Sequence, residues 1–225
     1  MFFDFHVHNI QLAPEAKRLG YSGIAFIKSS KNYNETADIN PPDDFSIFSG
    51  VEIYAKNPDD LRKNVQRFRE HNDILIVNGG DIKINRAACE DPRVDILAHP
   101  YKNRRDSGIN HVLAKKAAEN NVAIELNINS IIRTRLSLRA KILSQFRQIL
   151  KLQRKFKFPL IIASNAYSTY DLRTPEDITA FAGCLEMTYE EIRNSLSKNP
   201  IDIIERSKIR KNVIVQGART IEQDD

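Results

Sequence analysis

Short apolar runs alternate with amphipathic stretches along almost all of this 225-residue chain. That alternation constrains the fold more than any other feature. Parallel strands need crossover connections, so a strand–helix–strand rhythm reads as a parallel sheet covered by helices. Residues 94–129 show one complete unit. Asp95-Ile96-Leu97-Ala98 reads as a buried strand. Tyr101 to Asn110 is a polar loop with Lys102, Arg104, Arg105 and a turn-easing Gly108. Asn110 suits the cap of a helix over 111–121, where Val112, Leu113, Ala117 and Ala118 recur at helical spacing. Residues 122–126 supply the next strand. The loop cations thus follow the C-terminal end of a strand, the face on which parallel barrels gather functional groups.

The rest of the chain repeats the rhythm. Strands are expected at 2–7, 24–27, 45–54, 74–77 and 160–163, with helices at 14–19, 58–71 and near 81–90. The polar stretch 28–44 reads as a long loop or weak helix. Thr174-Pro175-Glu176-Asp177 and Thr188-Tyr189-Glu190-Glu191 are helix starts with a Thr cap and acids in the first turn. A further helix starts at Pro200. No repeat, low-complexity tract or linker divides the chain. About seven βα units favour a single TIM-like α/β barrel over 1–215 with extra C-terminal helices, and 216–225 as a flexible tail.

Charge points to a partner. The net charge of +5 is modest, so its distribution matters more. From Leu126 to Tyr170 there are nine lysines and arginines and no acid. The segment 133–157 reads as one long helix with Leu138, Ile142, Ile149, Leu152 and Phe156 on one side and Lys141, Arg147, Lys151, Arg154 and Lys155 opposite. A face carrying cations alone repels itself unless an anion compensates, which points to nucleic acid. Cys89 and Cys184 fit no metal or redox spacing, and neither a signal peptide nor a membrane span is evident, so a reduced, cytoplasmic setting is expected.

His6-x-His8 ends the first strand, Glu52 ends the third and His99 the fifth, so the four could share one rim and bind Zn or Mn. With Gly50 and Pro100, this resembles the polymerase-and-histidinol-phosphatase (PHP) metal hydrolases. It departs from them where Lys28-Ser29 replaces Asp-His and where Ser164-Asn165-Ala166-Tyr167 lacks two further ligands. The resemblance leaves a stand-alone metal-dependent phosphoesterase as one function class.

A second resemblance spans nearly the whole chain. Asn103-Arg104-Arg105-Asp106, then Gly108-Ile109-Asn110-His111-Val112-Leu113-Ala114-Lys115, and a later block of Ser164, Ala166, Asp171-Leu172-Arg173, Pro175 and Asp177 resemble the archaeal ribonuclease P protein component 3 family, a PHP-like barrel family. The resemblance implies a subunit of the RNA-based endoribonuclease that removes 5′ leaders from precursor tRNA. The RNA is then the catalyst, using Mg²⁺, and the chain itself binds no cofactor or catalytic metal. Expected RNA contacts are Lys102, Arg104, Arg105, Lys115, Arg135 and Arg173, with His6, His8, Glu52 and His99 as a vestigial metal rim. Expected partners are the RNase P RNA, precursor tRNA through the holoenzyme, and a second small RNase P protein. The helices from Thr188 onward exceed what barrel closure needs and are the favoured protein-binding patch.

Overall fold

The computed structural model describes residues 1–33, 41–215 and 218–219. Seven strands form one parallel sheet in sequence order: β1 (Phe3–Val7), β2 (Gly23–Ser29), β3 (Ser46–Ile53), β4 (Ile74–Asn78), β5 (Ile96–Ala98), β6 (Ala123–Asn127) and β7 (Leu160–Ala163). The sheet curls until its ends meet just past β7. Val7 and Ala166 form a parallel bridge. His8 N–H donates to Ala166 O at 2.8 Å and Ala166 N–H to His6 O at 3.1 Å. The buried Asp4 carboxylate reinforces the seam by accepting from the backbone N–H of Ser164 at 3.1 Å and of His6 at 3.2 Å. Burial pushes Asp4 up to about 6. The result is a nearly closed TIM-like barrel.

Helices α1 (Ala13–Arg18), α2 (Pro58–Arg69), α3 (Ile82–Glu90) and α4 (His111–Glu119) follow the early strands. Asn57, Asp81 and Asn110 cap the last three through their side chains, as polar residues do at helix starts. The long helix expected over 133–157 is α6 (Leu136–Phe156), and a short helix, α5 (Ile128–Ile132), precedes it. Arg139 Nε donates to the carbonyls of Ile131 and Thr134 at 3.1 and 2.8 Å, occupying acceptors at the break between them. α7 (Pro175–Gly183) starts at the Thr174 cap, and α8 (Tyr189–Arg193) runs through a π turn at Asn194–Lys198 into α9 (Asn199–Asn212). Val213–Val215 and Ala218–Arg219 pair as a short antiparallel ladder. Residues 34–40 of the stretch expected as a loop, 28–44, and the rest of the tail expected over 216–225 lie outside the described residues. Among the described residues no helix is long and apolar enough to cross a membrane.

Two apolar cores result. The larger lies between the sheet and its helices. The smaller fills the barrel with Phe3, Phe5, Ile27, Ile74, Ile76, Ile96 and Ile161, and α9 adds Ile203 and Ile204 to it. The C-terminal helices therefore plug the barrel's N-terminal end. Beside the plug, Asp95 is fully buried and accepts from Arg69 (2.6 Å), Arg206 (3.1 Å) and Arg210 (2.7 Å), tying α2 and α9 to β5. Removing one partner of a buried ion cluster leaves the others uncompensated, at a cost of about 3–5 kcal/mol. Asp95→Asn is expected to lower stability in urea denaturation by that order, while Glu205→Gln, on the exposed side of α9, stays within about 0.5 kcal/mol.

Candidate functional site at the barrel mouth

The inward-facing residues turn from apolar to polar toward the C-terminal ends of the strands. On β4 the inward series is Ile74, Ile76, Asn78; on β6 it is Ala123, Glu125, Asn127. β1 reaches the same end with His6 through a register shift between Asp4 and Val7. That bulge lets Phe5 and His6 both serve the interior, which strict two-residue alternation forbids.

His6 sits at the centre. Its Nδ1 is 2.8 Å from Glu125 Oε2, and its Nε2 is 3.8 Å from Glu52 Oε2. Glu52 also accepts from Asn78 Nδ2 at 2.6 Å and Tyr54 OH at 2.5 Å, and Glu125 from Asn127 Nδ2 at 2.6 Å. Burial opposes the His6 charge, but Glu125 and then Glu52 outweigh it and raise His6 to about 10. Burial likewise works against both carboxylates, yet His6 and their hydrogen-bond donors hold them below the usual range. Burial, with the neighbouring His6 cation, lowers His8 to about 4, and burial also lowers His99.

The structure thus gathers His6, His8, Glu52 and His99, as expected, and adds Glu125. An acid inside the apolar run Ala123-Ile124-Glu125-Leu126 was the available signal. Two trios bring ligand atoms within 4.8 Å of one another: His6, His8 and Glu52, and His6, His99 and Glu125. The first could hold one divalent ion if His8 Nε2 exchanged its Asn165 partner for the metal. His6 Nε2 is buried without a hydrogen-bond partner, and the Glu125 carboxylate orients the ring from behind. An ion there would supply Lewis acidity to a phosphoester.

A multinuclear centre does not fit. Asn165 spends its amide between His8 Nε2 (2.8 Å) and His99 Nε2 (3.4 Å), and the Tyr167 ring stacks on His8 with centroids 4.2 Å apart. Lys28 carries its ammonium 5.8 Å from the rings of Phe26 and Tyr33. His99 and Asn165 both adopt positive φ, 50° and 54°, a strained setting characteristic of functional rims.

The cationic loop after β5 is held rigidly. Asn85 of α3 donates to Pro100 O (2.9 Å) and Gly108 O (3.0 Å), and Gln145 of α6 donates to Arg104 O (3.0 Å) and Asp106 O (2.8 Å). Gly108, at φ 71°, has no alternative, because a Cβ there would lie 1.8 Å from Pro100 O. The expected contacts differ in what they have left to offer. Lys102, Arg105 and Arg135 are exposed with no side-chain partner among the described residues. Arg104 spends its fork on Asp106 at 2.6 and 2.9 Å. Lys115 lies 3.8 Å from Glu119 on α4, and Arg173 donates to the carbonyls of Tyr170 and Leu172 at 2.8 and 2.5 Å. Asp171 pairs instead with Arg133. On α6, Arg154 grips Glu191 at 2.8 and 2.9 Å, so part of that cationic face meets protein.

These features define a class: a TIM-like parallel barrel with a buried histidine–carboxylate cluster and a fixed basic loop at its mouth. The RNase P subunit p30 family model matches residues 1–212, and the chain belongs to that family of ribonuclease P protein subunits. It is 47% identical to Ribonuclease P protein component 3 of Methanothermobacter thermautotrophicus, over 98% of this chain and 95% of that protein. It is 38% identical to the protein of the same name from Methanosarcina mazei, over 100% and 97%. A solved chain described by "cryo-EM structure of archaeal Ribonuclease P with mature tRNA" is similar to it with a TM-score of 0.83 and 29% identity, covering 99% of each chain.

The His6 pairing makes stability depend on pH. A histidine raised from its ordinary 6.5 to about 10 stabilises the fold fully below pH 6.5 and loses that contribution as pH rises toward 10. The melting temperature is expected to fall between pH 6.5 and 9, and to fall less in Glu125→Gln, in which the larger charge partner is gone. Equal slopes in thermal scans of the two proteins would refute a charged His6.

Proposed function

We propose that this chain serves ribonuclease P as a non-catalytic subunit that binds and steadies the RNA at the barrel mouth. The observation that carries the reading is the family match over nearly the full length. The physical task follows from charge. A folded RNA forces phosphates together, and fixed cations lower that repulsion by displacing counterions. Lys102, Arg105 and Arg135 are the contacts best placed to do so, because their ammonium and guanidinium groups are exposed and unspent. Arg104, Lys115 and Arg173 would contribute after exchanging an internal partner for a phosphate. Arginine adds geometry, since its planar fork matches phosphate in a bidentate way. In this reading the partners are the RNase P RNA, precursor tRNA through the holoenzyme, and a second small RNase P protein. The holoenzyme's Mg²⁺ belongs to the RNA, and the setting is cytoplasmic.

A second reading, a stand-alone phosphoesterase with one metal ion, is favoured by the orphaned His6 Nε2 alone. One assay separates the two: precursor-tRNA cleavage in limiting Mg²⁺ with the RNase P RNA and partner protein added or withheld. We expect cleavage only with the RNA, stimulated by this chain. The double substitution Arg104→Ala with Arg105→Ala is expected to weaken that stimulation and to reduce the salt slope of RNA binding by about one for each phosphate no longer neutralised. Phosphoester hydrolysis by the purified chain alone, abolished by His6→Ala, would overturn the subunit reading.

A further inference from the structure

Above the buried cluster the mouth opens into a pocket of about 440 Å³. That volume lies within the roughly 300–1,000 Å³ of small-ligand sites. Its chemistry is graded. Tyr167, Leu138 and Ile142 contribute flat or apolar wall, Asn78 and Asn165 lie among its polar lining groups, and Lys102 and Lys141 also border it. Among the described residues no carboxylate lines the pocket. Both lysines are exposed and make no ion pair among the described residues. The Tyr167 ring is stacked on His8, yet 53% of the residue remains exposed, so it can still receive a second flat group. Leu138 is 51% exposed beside it.

We propose that this pocket takes one unstacked nucleotide, with its base against Tyr167 and Leu138 and its phosphate on Lys102 and Lys141. The orientation follows from charge. Glu52, which takes a hydrogen bond from the pocket residue Asn78, and the neighbouring Glu125 repel a phosphate from the depth of the mouth, whereas the two lysines attract it. Asn78 gives its N–H to Glu52, which leaves its carbonyl oxygen for a base edge. An aromatic platform flanked by cations is the general arrangement by which proteins hold single-stranded nucleic acid without reading a long sequence. That the nucleotide is an unpaired residue of the RNase P RNA, rather than a free mononucleotide, rests on the subunit reading above.

The test has two arms. Calorimetric titration of the full chain with AMP, GMP, CMP and UMP, against inorganic phosphate, probes the pocket alone. Nucleotides are expected to bind more tightly than phosphate. Tyr167→Ala is expected to weaken them at least about fivefold, the lower end of what a stacked base contributes, and Lys141→Ala to remove the advantage of the 5′-phosphate. Chemical footprinting of the RNA in the reconstituted holoenzyme probes the source. One or a few unpaired nucleotides should become reactive in both variants while the remaining footprint persists. Nucleotide binding without such a local change keeps the pocket and makes a free nucleotide its ligand. Phosphate binding as tightly as nucleotides, or nucleotide affinity unchanged in both variants, overturns the proposal. Absence of any footprint from the wild-type chain would instead count against the subunit reading, whatever the calorimetry gives.

Discussion

Two backbone hydrogen bonds join His6 and His8 of the first strand to Ala166 beyond the last. Everything at the mouth depends on that seam. It turns a seven-stranded sheet into a barrel, and it places Asn165 and Tyr167 against the histidines from which they are about 160 residues distant in sequence. Asp4 secures the same seam from inside with a buried carboxylate that accepts two backbone N–H groups. Long-range closure costs chain entropy that only many cooperative contacts offset. The seam is therefore supported at the other end, where α9 inserts Ile203 and Ile204 and its arginines converge on Asp95.

The barrel interior is a gradient along the strand direction. Its N-terminal half is a dry apolar plug, and its C-terminal layer holds two carboxylates, three imidazoles and several amides. Such a layer is tolerable only when its charges are matched. His6 provides the match by standing between Glu125 and Glu52, whereas burial holds His8 and His99 below the ordinary histidine value. Polar networks in low dielectric are costly when incomplete and rigid when satisfied. Here the network is nearly satisfied without any ion, His6 Nε2 being the exception at the site.

Much of this was legible in the sequence. The strands and most helix caps fall where periodicity and capping residues put them, because both signals are local. His6, His8, Glu52 and His99 were assembled from their common place at strand ends. Other features depend on distant partners and were not readable. The bulge in β1 leaves no local mark. The break between α5 and α6 carries neither glycine nor proline; Leu136 takes a φ of 47° there, and Arg139 returns to the preceding carbonyls. Arg104 reads as a free cation until the loop geometry lets Asp106 take its fork. The C-terminal helices were visibly surplus to closure, but only the fold shows that they plug the far end. Tyr189 and Ile209 remain exposed on them.

The arrangement of charge at the mouth also separates scaffold from hydrolase. A metal phosphoesterase must bring its phosphate down to the metal, against the carboxylates that hold the ion. In this chain the groups that attract phosphate, Lys102, Lys141 and Arg105, belong to the pocket wall and the surrounding loop. The carboxylates lie buried beyond them, and His6 already balances part of their charge. In the proposed arrangement, a phosphate held by the rim stays short of His6, Glu52 and Glu125. The same geometry suits RNA binding, for which the backbone needs only to be held. A rigid rim of cations over a closed polar layer would position a phosphate without committing it to reaction.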